Sequence, residues 1–356
     1  MHFGDGEIPE EYRRYVGRKV LFITGATAAL IFSLVFSLSM GAAEVPAVEV
    51  IRSLLGSAVS ERSDIIVINI RLPQAVAAVL AGAGLAAAGA TMQSILRNPL
   101  GSPFTLGISH AAAFGAAFAV MVLGGGVMSS KTVGAVSITN PYVTTLAAFI
   151  FSLLAAAVII GISRVRGASP EVMVLTGVAL GALFTAGTMF LQYFADDVQL
   201  AAMVFWTFGD TARATWTELA VIAGVCVVCF VYFIANGWNL NAIDAGDETA
   251  KGLGVRVERL RLVGMLLASL LTAVIISFLG IIGFVGLVAP HMVRRIIGAD
   301  HRFLMPAAML IGALLLLLSD TAARLMLAPH VLPVSVLTAF MGAPVFLLLI
   351  LRGRRK

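Results

Sequence analysis

Uncharged, mostly apolar stretches dominate this chain, separated by short clusters of charge. They cover residues 20–43, 72–96, 98–130, 132–163, 172–195, 219–243, 262–293, 303–319 and 325–351. A helix needs about 20 apolar residues to cross the hydrocarbon of a bilayer, so most of these stretches hold one crossing. Two need dividing. In 262–293, Gly280, Gly283 and Gly286 interrupt the middle and Pro290 follows; this predicts a helix ending near Leu279, a tight turn, and a short helix to about Ile297. In 98–130, Asn98-Pro99 and Ser102-Pro103 break helix, so the span starts near Phe104, and Gly124-Gly125-Gly126 stops it. Ten helices are predicted, at 19–40, 71–97, 104–124, 142–163, 170–195, 216–236, 257–279, 282–297, 303–327 and 334–351.

Composition agrees with that pattern. Of 356 residues, 60% are apolar and 12% charged, against about 25% charged in soluble domains. A soluble globule of this make-up would expose large apolar patches. The fold class is therefore all-α, a polytopic membrane protein with ten transmembrane helices. The 35 glycines suit membrane helices that pack at close range.

The net charge of +5 reports orientation here, not nucleic-acid binding. With the N-terminus inside, 18 of the 24 Lys and Arg fall on the cytoplasmic side. The six on the outer side or outer helix ends are Arg52, Arg62, Arg71, Lys131, Arg213 and Arg324. This split fits an even number of spans with both termini cytoplasmic. The first stretch, 24 uncharged residues, exceeds the core of a secretory signal, about 7–15 residues, and reads as an uncleaved span. The organisation is a cytoplasmic segment 1–18, a helical domain 19–351 and a cytoplasmic tail 352–356. The polar loops 44–70, 196–218 and 237–261 are too short for a core of their own.

Candidate chemistry is sparse. The chain has no Gly-x-x-x-x-Gly-Lys-Ser/Thr phosphate loop and no His-Glu-x-x-His zinc motif. Ser109 and His110 are adjacent, so on a helix they point to different faces, and no protease motif surrounds them. Cys226 and Cys229 sit among Val and Phe and read as packing, not as a redox pair. Asp320 and Arg324, spaced i,i+4 near the outer end of the ninth helix, can pair; a structural ion pair and a docking role for Arg324 both stand. Carboxylates at mid-membrane, the usual mark of ion coupling, are missing from the apolar runs. In the loop 237–256, Asp244 and Asp247 can cap short helices. Ala250, Leu253 and Val255 give the loop an apolar contact, and Gly246, Gly252 and Gly254 mark turns. A protein-docking face and an ordinary interfacial loop are equally compatible with it.

Together these segments resemble one family, the FecCD-type permeases of type II ABC importers for iron chelates, haem and cobalamin. The resemblance runs from about residue 20 to 351. It is carried by Arg71-Leu72-Pro73, Gly89-Ala90-Thr91-Met92-Gln93, Arg97-Asn98-Pro99-Leu100 and Leu106-Gly107-Ile108-Ser109. Gly246-Asp247-Glu248-Thr249-Ala250 and Leu253-Gly254 follow, then Gly283-Phe284-Val285-Gly286-Leu287-Val288-Ala289-Pro290-His291, the most specific stretch. Asp300-His301-Arg302 and Asp320-Thr321-Ala322-Ala323-Arg324 complete it.

The resemblance implies the type II ABC importer permease fold and import of a metal chelate across the cytoplasmic membrane. Ferric siderophore is the first choice of substrate, with haem, cobalamin or an oxyanion as alternatives and an ion-coupled carrier as the rival class. It implies a second permease subunit, as a homodimer or close heterodimer. It also implies two cytoplasmic ATP-binding subunits, which use ATP and Mg, and an extracytoplasmic substrate-binding protein. No cofactor, metal or catalytic residue is expected on this chain. Coupling to the ATPase falls on about 239–254, with Gly246, Asp247, Glu248, Ala250, Leu253 and Gly254. Asn98 and Leu100 match the cytoplasmic gate, and Arg71 and Arg324 match arginines that dock the binding protein. Gly283, Gly286, Pro290 and His291 form a structural motif. Gln74 stands where some members have Arg, which puts that docking contact in question.

Overall fold

A computed structural model of the chain describes residues 10–41, 43–57, 60–124, 141–327 and 330–353. Expectations that fall on residues 1–9, Gly125, Gly126, Lys131, Arg354, Arg355 and Lys356 lie outside the described residues. The order begins with α1 (Glu10–Ser39), α2 (Ala47–Leu54) and α3 (Glu61–Asp64), which runs through a π-helical stretch (Ile65–Arg71) into α4 (Leu72–Ile95). Then come α5 (Ile108–Met121), α6 (Pro141–Val165), α7 (Pro170–Phe194) and α8 (Asp197–Thr207). A 3-10 turn (Thr211–Arg213) leads to α9 (Trp216–Ala235), α10 (Gly237–Asp244), α11 (Asp247–Gly252) and α12 (Val257–Leu279). The chain closes with α13 (Val285–Ile297), α14 (His301–Leu325) and α15 (Val334–Gly353).

The fold is all-helical, with no strand among the described residues. All ten expected segments form helices. Seven are long and apolar enough to cross a membrane by length and composition. The other three are short: α5, the apolar part of α15 (Val334–Val345) and the 13-residue α13. Before α5 and α13 lie irregular stretches, 98–107 and 280–284, where the expected first helical turns do not form.

The helix α4 is the centre of the bundle. Twenty of its 24 residues are buried, and it packs against α9, α12, α13 and α14. The reason is its sequence, largely Ala and Gly, which lets neighbouring backbones approach. A Cβ placed on Gly89 would run into the carbonyl oxygen of Gly286 on α13, and one on Gly82 into that of Gly312 on α14. The outer helices differ: α7 leaves Leu175, Leu183 and Phe190 exposed, and α9 leaves Val227, Val228 and Val231 exposed, as a lipid- or subunit-facing surface does.

Two departures from the expected pattern have a visible physical cause. The rod containing α4 begins at Glu61 and not near residue 71, because Glu61, Arg62 and Asp64 form a first turn capped by Ser60, whose hydroxyl accepts from the Ser63 amide at 3.1 Å; charge ends an apolar run without ending a helix. The loops 44–70 and 196–218 each contain a helix, α2 and α8. For α8 the cause is a capping box: Asp196 accepts from the Gln199 amide at 2.8 Å, and Gln199 accepts from the Asp196 amide at 3.2 Å.

Candidate functional site

At one end of the bundle, α10 and α11 form a compact two-helix element. Leu240, Ile243 and Ala250 are buried beneath it. Gly246 begins α11 at φ +119°. At its end the Gly254 amide donates to Lys251 O and the Val255 amide to Ala250 O, both at 2.9 Å. With Gly254 at φ +82° this is a Schellman cap, which needs a left-handed residue. The two glycines thus fix a short helix in place between two turns.

The six sequence-expected coupling residues separate into three groups. Glu248 and Leu253 face outward, with a 90% exposed side chain and 70% residue exposure respectively, beside Trp238 at 65%. Gly246 and Gly254 make the turns. Asp247 and Ala250 face inward. Ala250 has no exposed surface and packs the element onto the bundle, so any part it plays in coupling is as support and not as a contact surface.

Acidic side chains key this element into the helices. Asp247 is gripped by both terminal nitrogens of Arg261 on α12, at 2.6 and 2.8 Å. Arg261 also donates from Nε to Ile95 O at the end of α4, at 2.8 Å, and from Nη1 to Ala168 O in the α6–α7 turn, at 3.5 Å. Arg97 stands 3.8 Å from the same carboxylate. The Arg261 hydrogen bonds hold the Asp247 carboxyl below its ordinary range against the opposing pull of burial. Asp244 accepts from Ser94 of α4 at 3.2 Å and lies 3.2 Å from His301 Nε2 of α14, while Ser94 Oγ and His301 Nε2 are 2.7 Å apart. Asn241 bonds Asp300 at 2.9 Å and accepts from the His301 amide at 2.7 Å. Asp300 in turn faces the buried Lys19 of α1 at 3.8 Å and pairs with Arg302 at 2.6 Å. Burial pushes the Asp300 carboxyl up, but the bonds from Arg302 and Asn241 win and hold it at about 2. A cavity of about 510 Å³ opens beside this cluster, with Arg97, Gly167, Glu171, Asp247 and Arg261 among its walls.

Asn98 and Leu100 lie at the same end. The α4 helix closes in a second Schellman cap with Arg97 at φ +46° in the left-handed position: Asn98 N donates to Gln93 O and Arg97 N to Ser94 O, both at 2.9 Å. The Asn98 side chain then accepts from the Leu100 amide at 2.9 Å, and Leu100 is exposed. The turn presents Leu100 while Asn98 holds its shape.

At the opposite end, Arg71 and Arg324 do something the sequence did not disclose. Arg71 is only 6% exposed. Its guanidinium donates to Leu38 O at 2.7 Å, to Ser39 O at 3.0 Å and to Ala43 O. Arg324 pairs with Asp320 at 3.2 Å, as the i,i+4 spacing predicts, and donates to Ser37 Oγ at 2.7 Å. Asp320 also accepts from Gln74 at 3.0 Å and from Thr211. Both arginines therefore cap the end of α1, where carbonyls lack intrahelical partners. These contacts turn both guanidiniums onto α1 and Asp320; the docking role implied by the resemblance is a separate expectation. Gln74 is likewise internal, where it ties α4 to Asp320.

The Gly283–His291 motif forms the break between α12 and α13. Helix α12 ends at Leu279 as expected, Phe284 adopts φ +65° and α13 starts at Val285. Gly286 allows the contact with α4, Pro290 is buried within α13, and His291 is half-buried on it. Cys226 and Cys229 are buried, free thiols on α9. No cluster of metal-ligating side chains occurs among the described residues.

The architecture is a bundle of helices long and apolar enough to cross a membrane around a glycine-packed centre, with a keyed two-helix element at one end. The chain belongs to the FecCD transport family, whose model matches residues 29–352. It is a multi-pass ABC transporter permease. It is 51% identical, over 97% of its length and 98% of the relative's, to a protein of Methanocaldococcus jannaschii named as an ABC transporter permease. It is 37% identical, over 90% of its length and 93% of the relative's, to the hemin transport system permease protein of Yersinia pestis. For the Fe(3+)-citrate import system permease protein of Bacillus subtilis the identity is 34%, over 95% of this chain and 97% of that one. The fold matches a solved inward-facing structure of a metal-chelate type ABC transporter, with TM-score 0.80, 31% identity, and coverage of 93% of this chain and 98% of that one.

Proposed function

We propose that this permease imports a bulky metal chelate, a ferric siderophore first among the candidates, with the outward face of α10–α11 as the seat of its ATPase subunit. The α10–α11 end is then cytoplasmic, in keeping with the concentration of Lys and Arg there. The working unit is two permease copies, two ATP-binding subunits that use ATP and Mg, and an extracytoplasmic binding protein, in the cytoplasmic membrane. The observation that carries the coupling reading is the two-sidedness of α11. Asp247 and Ala250 face inward, while Glu248 and Leu253, with Trp238 of α10, face solvent. Exposed apolar and charged groups on a rigid, keyed support suit a protein partner. The hemin and Fe(3+)-citrate permeases among its relatives support a chelate as cargo.

Proteoliposomes holding the permease, its ATPase and its binding protein test the reading. ATP-dependent uptake of a ferric siderophore is expected, and a proton gradient without ATPase gives none. Glu248→Arg is expected to abolish ATPase binding and uptake. Full uptake by that variant overturns the coupling assignment, and uptake of haem or cobalamin in place of the siderophore overturns the choice of cargo.

A further inference from the structure

We propose that Arg261 is the positioning residue that passes displacement of α10–α11 to the ends of α4 and α7, with Asp247 as its key. The inference rests on reading α10–α11 as the ATPase seat. Arg261 is 2% exposed, and its guanidinium is held by groups from three separate elements: the Asp247 carboxylate of α11, Ile95 O of α4 and Ala168 O of the α6–α7 turn. A guanidinium can do this because it is planar, with five donors in a fixed fork; two grip a carboxylate in parallel while others reach elsewhere. An ammonium keeps the charge but cannot hold that geometry.

The surroundings make the contact a joint and not a packed anchor. The helix α11 packs chiefly on α10 and α12, and the guanidinium links it by hydrogen bonds to the α6–α7 turn. That turn has Gly167 at φ +69° and Ala168 at φ +55°; a left-handed alanine is strained and is held there by its surroundings, here the Ser163 carbonyl that its amide meets at 2.8 Å and the Arg261 guanidinium on its own carbonyl. The turn leads directly into α7 at Pro170. The cavity of about 510 Å³ lies between Asp247, the turn and Glu171, and gives the turn space to move. A displacement of α11 therefore pulls on the start of α7 and on the end of α4 together.

The test uses the full complex in proteoliposomes and reads chelate uptake per ATP hydrolysed, together with thermal stability and ATPase co-purification. For Arg261→Lys the complex still assembles and hydrolyses ATP, and uptake per ATP falls about tenfold, within the range of measured coupling effects. Asp247→Asn lowers the ratio in the same direction, and the double variant is no worse than Arg261→Lys alone, because one joint is lost once. Unchanged uptake per ATP in both single variants overturns the proposal. So does a loss of uptake that only follows the loss of folded complex, since that marks a structural anchor. If Arg261→Lys does not fold, Asp247→Asn, which leaves the two carbonyl contacts in place, decides alone. Failure of the underlying reading looks different: Glu248→Arg then still binds ATPase and transports.

Discussion

The two ends of the bundle each carry a cluster of charge, and they are built on opposite plans. At the α1 end, Arg71 donates to the Leu38 and Ser39 carbonyls and Arg324 to the Ser37 hydroxyl, and Asp320 closes the cluster with Gln74 and Thr211. Every partner lies within the bundle. At the α10–α11 end, Asp244 and Asp247 hold a small element whose other face, Trp238, Glu248 and Leu253, is open to solvent. The first arrangement completes a helix; the second mounts a part. Arginine serves both, but only in the second does the element it holds turn a face with Trp238, Glu248 and Leu253 to solvent. Charge in a membrane protein is informative chiefly through what it holds.

Breaking the α1 cap gives the largest predicted loss. Arg71→Met leaves the buried Leu38 O and the part-buried Ala43 O without that donor, while Ser39 O keeps the Val45 amide; at about 1–3 kcal/mol for a buried group, the purified permease loses about 2–3 kcal/mol in thermal unfolding. A stable variant that only binds the substrate-binding protein more weakly would favour the docking role. Next in size, Gly89→Ala forces a methyl group against the Gly286 backbone and destabilises by about 1–3 kcal/mol. Its control, Gly161→Ala, where a Cβ meets nothing within 4 Å, stays within about 1 kcal/mol and tends to stabilise. Equal effects in the two variants would disprove the close α4–α13 contact.

The third prediction concerns the α10–α11 end. The Asp300 carboxyl is held at about 2, below its unfolded value of about 3.9. A depressed acid stabilises the fold above the unfolded value and loses that contribution as pH falls through the folded one. After discounting for solvent screening, Asp300→Asn costs about 1 kcal/mol at pH 6. The gap between wild type and variant closes as pH drops from about 4 towards 2; a gap independent of pH over that range would remove charge as the cause. Smallest of all, Leu253→Asp leaves unfolding unchanged to about 0.5 kcal/mol, as surface changes do, yet weakens ATPase co-purification. A large stability loss there would mean that Leu253 is packed and not presented.

The helical frame was legible because each span is a long uncharged run, and the α12 boundary at Leu279 because glycines follow it. The residues that turn the frame into a machine were not. Arg261 sits among Arg256, Arg259 and Lys251, and in a count of basic residues it marks orientation only. Its partners lie at 95, 168 and 247, and one sequence carries no record of which distant groups meet. Gln74 and Asp320 are likewise 246 positions apart. The helix α8, read as part of a polar loop, does carry a local signal: Asp196-Asp197-Val198-Gln199 is a capping-box pattern.

The burial of α4 bears on how the protein is made. This helix has almost no lipid-facing side in the finished fold, yet it is synthesised before α9, α12, α13 and α14, which enclose it. Chain growth from Ile95 to Leu325 spans about 230 residues and takes about 10 to 50 s at ordinary translation rates of about 5–20 residues per second. During that interval the faces of α4 that these four helices cover are without them. The order of birth and the order of packing are thus reversed, and the central helix is the one that waits.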